Sequence, residues 1–408
     1  MVNDPTGNTS VEGATPPKVV LPVLCISMFS VIFNLRVLGP ILVDISQDFK
    51  VSIATAGSLA VAYAVPYAVM ALFIGPLSDK YGRRRMMIIG IATLAITALA
   101  AMLAPTFSVL LVARGIAGLG GAILQPAVLA SVGDYFPYAQ RGKAMGWVIS
   151  ATTLSTVLGV PAGTFLAGIF TWRWIFGLLS IILIAATLII VSIFPEGDTQ
   201  TQESGGGWDQ YRNSFKRVFQ EPSAIATLIT TSLFGMFWHG WNTFNGAFYI
   251  ETFNLSTEDF ALYVMFQGIG TFTGSYVGGL ISDRITKKTA TTLALLIGGL
   301  AVSQITTFPV SLWLTVAINI LMAFCCGIRF TAGHALATQQ VPAARGTMMA
   351  LNASAIQFGG TVGSSTGSLL ISGFNSFTPL GWAYGAFSVL ASIVMQFFVK
   401  DDPAKVEQ

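Results

Sequence analysis

The sequence predicts an all-α membrane protein in which twelve transmembrane helices form two six-helix bundles related by pseudo-two-fold symmetry. First, 53% of the 408 residues are hydrophobic and only 10% are charged, which is too few charges to cover a water-soluble surface of this size. Second, twelve apolar segments are long enough to cross a bilayer as helices, which satisfy their own backbone hydrogen bonds in hydrocarbon. Third, several motifs recur at an offset of 204 residues, half the length of the chain.

The repeat identifies the two bundles. It pairs Ser78-Asp79 with Ser282-Asp283, Arg141-Gly142 with Arg345-Gly346, and Gly159 and Gly163 with Gly363 and Gly367. Three matches at one offset indicate two homologous bundles joined in one chain. In membrane proteins with such repeats, ligand sites lie where the two repeats meet.

The order of apolar and polar segments divides the chain into five parts. We expect a disordered tail at 1–17, a bundle at 18–194, a linker at 195–221, a second bundle at 222–399 and a tail at 400–408. The spans, numbered 1 to 12, are expected near 18–43, 52–75, 86–104, 108–133, 143–169, 174–194, 222–250, 260–281, 289–307, 310–337, 346–372 and 379–399.

The positions of lysine and arginine predict the orientation. Sixteen of the 21 fall in the tails and in the loops on the same side as the tails, whereas only Lys50 and Arg173 lie in loops on the other side. By the positive-inside rule, both termini are cytoplasmic in a multi-pass protein of a plasma or inner membrane. The net charge of +3 therefore reflects topology and does not indicate a nucleic-acid partner.

The linker carries a helical pattern in its second part. Phe215 and Phe219 continue an aromatic stripe begun by Trp208 and Tyr211, beside basic side chains such as Lys216. This pattern is typical of a helix lying in the membrane interface, although a solvated linker explains the composition equally well.

A glycine-rich basic loop between spans 2 and 3 predicts a conformational latch. Its glycines allow a tight turn, and the Asp79 carboxylate can accept charge-assisted hydrogen bonds from Arg83 or cap a helix. Asp134, at the end of span 4, is a candidate third member. The candidate latch residues are Gly75, Asp79, Gly82, Arg83, Asp134 and Arg141, with Asp283 and Arg284 in the second copy of the motif. The alternative is that the arginines only fix orientation.

In span 5, Gly159, Pro161 and Gly163 predict a pivot. Small residues at helical spacing let this span approach a neighbour closely, and Pro161 removes a backbone hydrogen bond and bends the helix. The alternative is generic packing of small residues.

These motifs resemble those of the major facilitator superfamily. The loop from Gly75 to Arg85 is similar to its signature loop, Arg114 with Gly118 to its second motif, and the segment from Leu158 to Gly163 to the antiporter motif of its twelve-span drug and metabolite exporters. The resemblance implies the two-bundle fold, a latch that holds the outward-open state, and efflux by proton antiport.

The interior carries basic residues without central acidic ones. Arg36, Arg114 and Arg329 lie within spans 1, 4 and 10, where a charge costs at least about 2.5 kcal/mol unless it faces a cavity or a partner. We predict that Arg36 and Arg329 bind the substrate, together with Asn34 and Gln125, and that Arg114 is either a packing residue or tunes a proton site. The alternative for Arg36 and Arg329 is snorkelling to an interface or bonding to free carbonyl groups.

An arginine-lined interior predicts an anionic or zwitterionic ligand, because a guanidinium matches carboxylate and phosphate groups. Exporters of lipophilic cations rely on buried acids instead. In span 7, Trp238, Trp241, Asn242 and Asn245 form a stripe that could line the path of an amphipathic ligand. The alternative is that this stripe packs between helices.

Proton coupling needs a titratable group in the interior. His239 and His334 change charge near neutral pH and are the first candidates, with Asp44 at the outer end of span 1 and Arg114 as further ones. Exchange, or transport driven by the charge of the anion itself, would need no such group.

Together these features predict a secondary transporter, presumed monomeric, that moves a small or lipid-like organic solute by alternating access, with efflux by proton antiport. An importer or exchanger of organic anions is the nearest alternative, followed by a non-transporting membrane sensor. No clustered nucleophile and base, cofactor motif, metal-ligand spacing or phosphate-binding loop indicates an enzyme or a nucleotide-driven pump.

Overall fold

The computed structural model describes residues 19–74, 77, 81–136, 138–193 and 207–401. The predicted N-terminal tail, most of the C-terminal tail, and the latch candidates Gly75 and Asp79 lie outside the described residues. The side chain of Asp283 is likewise not described.

The described part of the first half contains all six predicted spans. Its helices are Val20–Arg36, Leu42–Asp48, Ile53–Ala71, Arg83–Met102, Phe107–Tyr135, Tyr138–Leu154, Val160–Ile169 and Trp172–Ile193. Span 1 differs from the prediction because its helix ends at Arg36 and the chain turns before a short helix, Leu42–Asp48.

The second half follows a helix in the linker. Its helices are Gly207–Gln220, Pro222–Phe253, Thr257–Arg284, Lys287–Thr307, Leu312–Gln340, Arg345–Phe374 and Thr378–Phe398. The last six are spans 7 to 12. Several helices begin at a capping side chain, as at Ser256 and Ser311, whose hydroxyl groups accept a backbone N–H three residues later.

Eight of the described helices are long and apolar enough to cross a membrane. Helices Pro222–Phe253, Thr257–Arg284 and Arg345–Phe374 are as long but more polar, and Val20–Arg36 is apolar but shorter. These four helices belong to spans 7, 8, 11 and 1. All four line the cavities described below, which explains how the three more polar helices carry polar residues, since such residues in a membrane protein face its interior.

The repeated glycines make equivalent contacts in the two bundles. A β-carbon at Gly159 would lie 2.5 Å from Phe29 Cζ, and one at Gly163 would lie 2.9 Å from Phe33 Cζ, so span 5 packs closely on span 1. In the same way, Gly363 in span 11 packs against the main chain of span 7 at Met236. The 204-residue repeat of the sequence is therefore a repeat of helix packing.

Span 5 changes its hydrogen-bond pattern beside Pro161. Residues Ser155–Gly159 form one π-helical turn, and the N–H of Val160 bonds to the carbonyl of Ser155. Proline cannot donate the helical bond expected at its position, and a π turn is one of the ways in which a helix accommodates a local irregularity. The predicted irregularity of span 5 thus coincides with this turn.

The two bundles meet at the side of the membrane that carries Asp44, Arg173 and Thr257. We call it the opposite side, because it lies across the membrane from the basic loops. The Thr257 hydroxyl donates to both carboxylate oxygens of Asp44 at 3.0 Å, which joins span 8 to the short helix after span 1. A β-carbon at Gly246 would lie 2.6 Å from the main-chain oxygen of Gly39, so spans 1 and 7 touch through their backbones.

The other side carries the basic loops at Arg83, Arg141 and Arg284 and is called the basic side. A β-carbon at Gly133 of span 4 or at Gly146 of span 5 would meet no atom within 4 Å. These spans are therefore less crowded here than spans 1 and 7 are on the opposite side.

The linker helix Gly207–Gln220 packs on the second bundle at the basic side. Val218 is buried with Ala337, Val341 and Met348, while Phe219 remains 54% exposed. An exposed aromatic ring beside Lys216 and Arg217 suits a membrane interface, and that location of the helix stays a prediction.

Candidate functional site

Two adjoining cavities lie where the bundles meet. Cavity A lies between spans 1, 5, 7 and 8 and is lined by residues that include Arg36, Thr156, Trp238, Asn245, Gln267 and Thr271. Cavity B lies between spans 1, 2, 4, 7 and 11 and is lined by residues that include Arg36, Tyr63, Arg114, His239, Asn242 and Gln357.

Arg36 and Asn242 line both cavities and so lie at their junction. Among the described residues, no aspartate or glutamate lines either one. Basic and neutral polar side chains in a low-dielectric interior favour an anion over a cation.

Arg36 is the central charged residue. Its guanidinium carbon lies 5.2 Å from the ring centroid of Trp238, a cation–π distance. Its Nε is buried without a hydrogen-bond partner among the described residues. Because the helix of span 1 ends at this residue, the side chain extends from a point where the chain turns between the two bundles. This guanidinium is available to a ligand.

Arg114 is held by neighbouring groups. Its Nη1 donates to the side-chain oxygen of Asn34 at 2.6 Å and to the main-chain oxygen of Asn34 at 3.0 Å. Its guanidinium carbon also lies 4.8 Å from the ring centroid of Tyr63. Arg114 therefore ties spans 1, 2 and 4 together while it lines cavity B, and Asn34 is its hydrogen-bond partner.

Arg329 occupies a different environment from Arg36, although the sequence analysis predicts the same role for both. Its Nη2 donates to the Thr231 hydroxyl at 2.9 Å, and its guanidinium carbon lies 4.0 Å from the Phe234 ring centroid. Thr231 in turn donates to the Asn352 side chain at 2.7 Å. Arg329 is 2% exposed and is not among the residues that line cavities A and B.

The stripe on span 7 is divided between the cavities and the packed interior. Trp238, Asn242 and Asn245 line cavity A. Trp241 does not, because its indole N–H donates to the Asn319 side-chain oxygen at 3.3 Å inside the second bundle. Gln125 also lines neither cavity and accepts a hydrogen bond from the Tyr67 hydroxyl.

The two histidines differ in the same way. His239 lines cavity B, and no hydrogen bond joins its ring to a described residue. His334 lies outside both cavities, and its Nδ1 is 2.7 Å from the main-chain oxygen of Phe330 on its own helix. Asp44 lies outside both cavities as well, in the contact with Thr257 between the bundles.

Among the polar cavity residues that the sequence analysis does not predict are Tyr63 and Gln267. They lie on spans 2 and 8 and are separated by 204 residues, so the repeat relates them to each other. Applying the offset to every polar residue within a span would have paired them. Gln357 of span 11 also lines cavity B, and the offset pairs it with Thr153 of span 5, which lines neither cavity.

Two residues of the predicted latch form an ion pair at the basic side, and their role as a latch stays a prediction. Arg83 Nη1 donates to Asp134 Oδ1 at 2.8 Å and to the Ala130 main-chain oxygen at 2.9 Å, joining the start of span 3 to the end of span 4. Arg141 Nε donates to the main-chain oxygen of Phe136 at 3.0 Å, and Arg284 is exposed at the end of span 8.

We expect the pair of Arg83 and Asp134 to control transport more than stability. Their side chains are 33% and 39% exposed, and pairs of this kind contribute about 0–1 kcal/mol. Arg83→Ala and Asp134→Ala should each leave the Tm within about 4 °C of wild type while transport in proteoliposomes falls several-fold. The double variant should be no slower than the slower single one, because both changes remove the same contact. Arg85→Ala, at an exposed position in the first turn of the same helix, is the control; equal losses in all three single variants would contradict a specific latch.

Comparison with known proteins places this geometry in context. The family model of the Major Facilitator Superfamily matches this chain over two overlapping ranges, residues 24–311 and 240–408. The chain is 29% identical to the uncharacterized MFS-type transporter YceJ of Bacillus subtilis (strain 168), covering 91% of this chain and 94% of that protein. It is 26% identical to a chloramphenicol resistance protein of Streptomyces lividans, covering 93% and 95% of the two chains.

Among solved structures, the fold is similar to that of a bacterial homologue of the human lysosomal transporter Spinster, described as inward-facing and unoccupied. The TM-score is 0.75 at 19% identity, with 95% of this chain and 98% of the other covered. At this identity the likeness concerns the fold alone.

Proposed function

The chain belongs to the major facilitator superfamily, and we propose that it exports organic anions or zwitterions across its membrane by alternating access, in exchange for protons. The family and its relatives are transporters rather than enzymes, and the apolar helices are those of a membrane-embedded protein. The substrate, its direction of movement and the coupled ion are the proposed parts.

The Arg36 guanidinium carries the proposal of an anionic substrate. It lies at the junction of both cavities, its Nε has no partner among the described residues, and neither cavity is lined by a described carboxylate. An anion in this position would form charge-assisted hydrogen bonds with a donor that folding has already removed from water, so binding does not add that desolvation cost. A cation would be repelled by Arg36 and Arg114.

The walls favour a substrate that is also partly apolar. Trp238 presents an aromatic ring and Val160 and Val264 present aliphatic groups to cavity A. A ligand with a charged end and an apolar body, including a lipid-like solute held by its headgroup, matches this combination.

Two observations support efflux. Resistance to a toxic compound is what its export from the cell would produce, and the name of the Streptomyces relative refers to resistance. The glycines around Pro161 also resemble the motif of proton-coupled exporters. We place both termini in the cytoplasm of a plasma or inner membrane, because the tails and basic loops share one side.

His239 is the proposed proton carrier, because it lines cavity B without a hydrogen-bond partner among the described residues. Its position also favours a second candidate function. An anion bound to Arg36 would neutralise its charge and so favour protonation of the neighbouring His239. When the anion and the proton promote each other's binding in this way, they are carried across the membrane in the same direction. Uptake of the anion together with a proton is therefore the alternative to antiport.

Transport in proteoliposomes separates these functions. Labelled 2-phenylethanesulfonate, a permanent anion, would be placed at equal concentration inside and outside, with the membrane potential clamped and the lumen made acidic. We expect the anion to accumulate in the lumen as protons leave. Loss of the anion from the lumen would instead show movement together with protons.

Matched probes test the class of substrate, and matched histidine variants test the coupling to protons. Phenylalanine, a zwitterion, should also be transported, whereas the permanent cation 2-phenylethyltrimethylammonium should not. His239→Gln should abolish the response to the proton gradient but keep anion exchange, and His334→Gln should respond as wild type. Transport of the cation alone would overturn the anion proposal, and the absence of transport for every probe would favour the sensor.

A further inference from the structure

The side chains along cavity A form a chain of amide hydrogen bonds. Asn242 Nδ2 donates to the main-chain oxygen of Trp238 at 2.6 Å, and Gln267 Nε2 donates to Asn242 Oδ1 at 3.3 Å. Asn245 Nδ2 then donates to Gln267 Oε1 at 3.1 Å. Three amides from spans 7 and 8 are thereby linked to one backbone carbonyl.

The backbone carbonyl fixes the orientation of every amide in this chain. A carbonyl oxygen only accepts, so Asn242 must turn its NH2 group toward Trp238 and its oxygen toward Gln267. Gln267 must then present its NH2 group to Asn242 and its oxygen to Asn245. Turning any one amide over would place two donors or two acceptors face to face. The chain therefore ends with the oxygen of Asn245 left over.

That oxygen has no partner, and neither do two donors in the same cavity. Asn245 Oδ1, Trp238 Nε1 and Arg36 Nε are all buried without a hydrogen bond to a described residue. Buried polar atoms are nearly always hydrogen-bonded in folded proteins, so a ligand or ordered water is expected to complete these three. Two of them require an acceptor and one requires a donor.

The remaining hydroxyl groups of cavity A cannot supply that donor. Thr156 donates to the Thr152 main-chain oxygen at 3.1 Å, and Thr271 donates to the Gln267 main-chain oxygen at 3.0 Å. Both hydroxyl protons are thus directed along their own helices.

We propose that the substrate is an organic anion that carries a separate hydrogen-bond donor, a hydroxyl or an N–H group. Its anionic group binds Arg36 and the indole N–H of Trp238, and its donor binds Asn245 Oδ1. This inference rests on the proposed function and narrows it, because a simple anion would leave the oxygen of Asn245 unsatisfied. A site built around a fixed acceptor discriminates against ligands that lack the donor.

Matched pairs of aromatic acids test this directly. Binding of mandelate, 3-hydroxyphenylacetate and 4-hydroxyphenylacetate to the purified full-length protein would be compared with binding of their methyl ethers and of phenylacetate, by thermal stabilisation. The three hydroxyl positions sample different distances from the carboxylate. We expect at least one hydroxy acid to bind about tenfold more tightly than its methyl ether and than phenylacetate.

Variants locate the acceptor. Asn245→Leu, similar in volume, should reduce the preference for the hydroxy acid to about onefold. Thr271→Val, at another polar position in the same cavity, should leave the preference unchanged. Equal loss in Thr271→Val and Asn245→Leu would overturn the assignment to Asn245.

The comparison in the wild-type protein decides the inference even if a variant fails to fold. Binding of hydroxy acids, ethers and phenylacetate with equal affinity would overturn it, because water would then satisfy Asn245, and the anion proposal would stand. If no acid stabilises the protein while a matched cation does, the proposed function itself fails.

Discussion

Replacing Arg36 with glutamine is expected to weaken the binding of phenylacetate or 2-phenylethanesulfonate by at least about 30-fold. The guanidinium lies at the junction of cavities A and B, and removing one partner of a buried, hydrogen-bonded charge pair costs roughly 2 kcal/mol or more. Glutamine keeps a polar side chain of similar length, so the loss would report the charge. Thermal stabilisation of the purified variant by a concentration series of each anion measures it.

The second interior arginine provides the matched control. Arg329→Gln removes the same charge from the same membrane interior, but Arg329 contacts Thr231 and Phe234 and lines neither cavity. Its anion affinity should stay within a few-fold of wild type, although its unfolding temperature should fall because a buried hydrogen bond is lost. Arg36→Lys should bind anions with intermediate affinity, since lysine keeps the charge without the planar fork. Equal weakening in Arg36→Gln and Arg329→Gln would contradict a specific role for Arg36.

These two arginines also show what the sequence could predict. Long apolar segments and the positions of basic residues are sufficient to predict membrane helices, because each helix satisfies its own backbone and only needs an apolar surface. The rotation of a helix about its axis depends on contacts with its neighbours. Arg36 and Arg329 therefore look alike in sequence, although one lines the cavities and the other packs against Phe234.

The hydrogen-bond partners of buried polar residues could not be predicted from the sequence either. Asn34 and Arg114 are 80 residues apart and were assigned different roles, yet they form a hydrogen bond of 2.6 Å. This pair forms because of the way in which spans 1 and 4 cross, and the crossing of two helices cannot be predicted from a local sequence pattern. By contrast, the offset that relates the two halves carries three-dimensional information, since it relates Tyr63 to Gln267 and both line the cavities.

The end of the first helix at Arg36 is only weakly indicated by the sequence. The sequence predicts one span at 18–43, whereas the helix ends at Arg36 and a turn containing Gly39 and Pro40 follows. Glycine followed by proline is a turn signal, but an apolar context hides it in a membrane segment. At Gly39 this turn packs against the main chain of span 7 at Asn242, and it is the site of the second prediction.

Gly39→Leu is expected to reduce transport to background by preventing closure of the opposite side. A β-carbon at Gly39 would overlap the main-chain oxygen of Asn242, and a β-carbon at Gly246 would lie 2.6 Å from the main-chain oxygen of Gly39, so the two backbones leave no room for a side chain here. A backbone carbonyl cannot rotate away as a flexible side chain can, so spans 1 and 7 would have to separate. Alternating access requires each side to close in turn, and a protein that cannot close one side cannot complete the cycle.

The trapped conformation can be detected independently of transport. In a background without Cys25, Cys325 and Cys326, a cysteine introduced at Val264, which lines cavity A and is 7% exposed, would react slowly with a membrane-impermeant thiol reagent added from the opposite side. Gly39→Leu should make this reaction faster by roughly tenfold or more, because even a 1.4 kcal/mol shift between open and closed states changes their ratio tenfold. Gly373→Leu is the control, since Gly373 lies near the same side in span 11 and a β-carbon there meets no atom within 4 Å. Wild-type transport by Gly39→Leu, or an unreactive cysteine in that variant, would show that spans 1 and 7 need not touch for the opposite side to close.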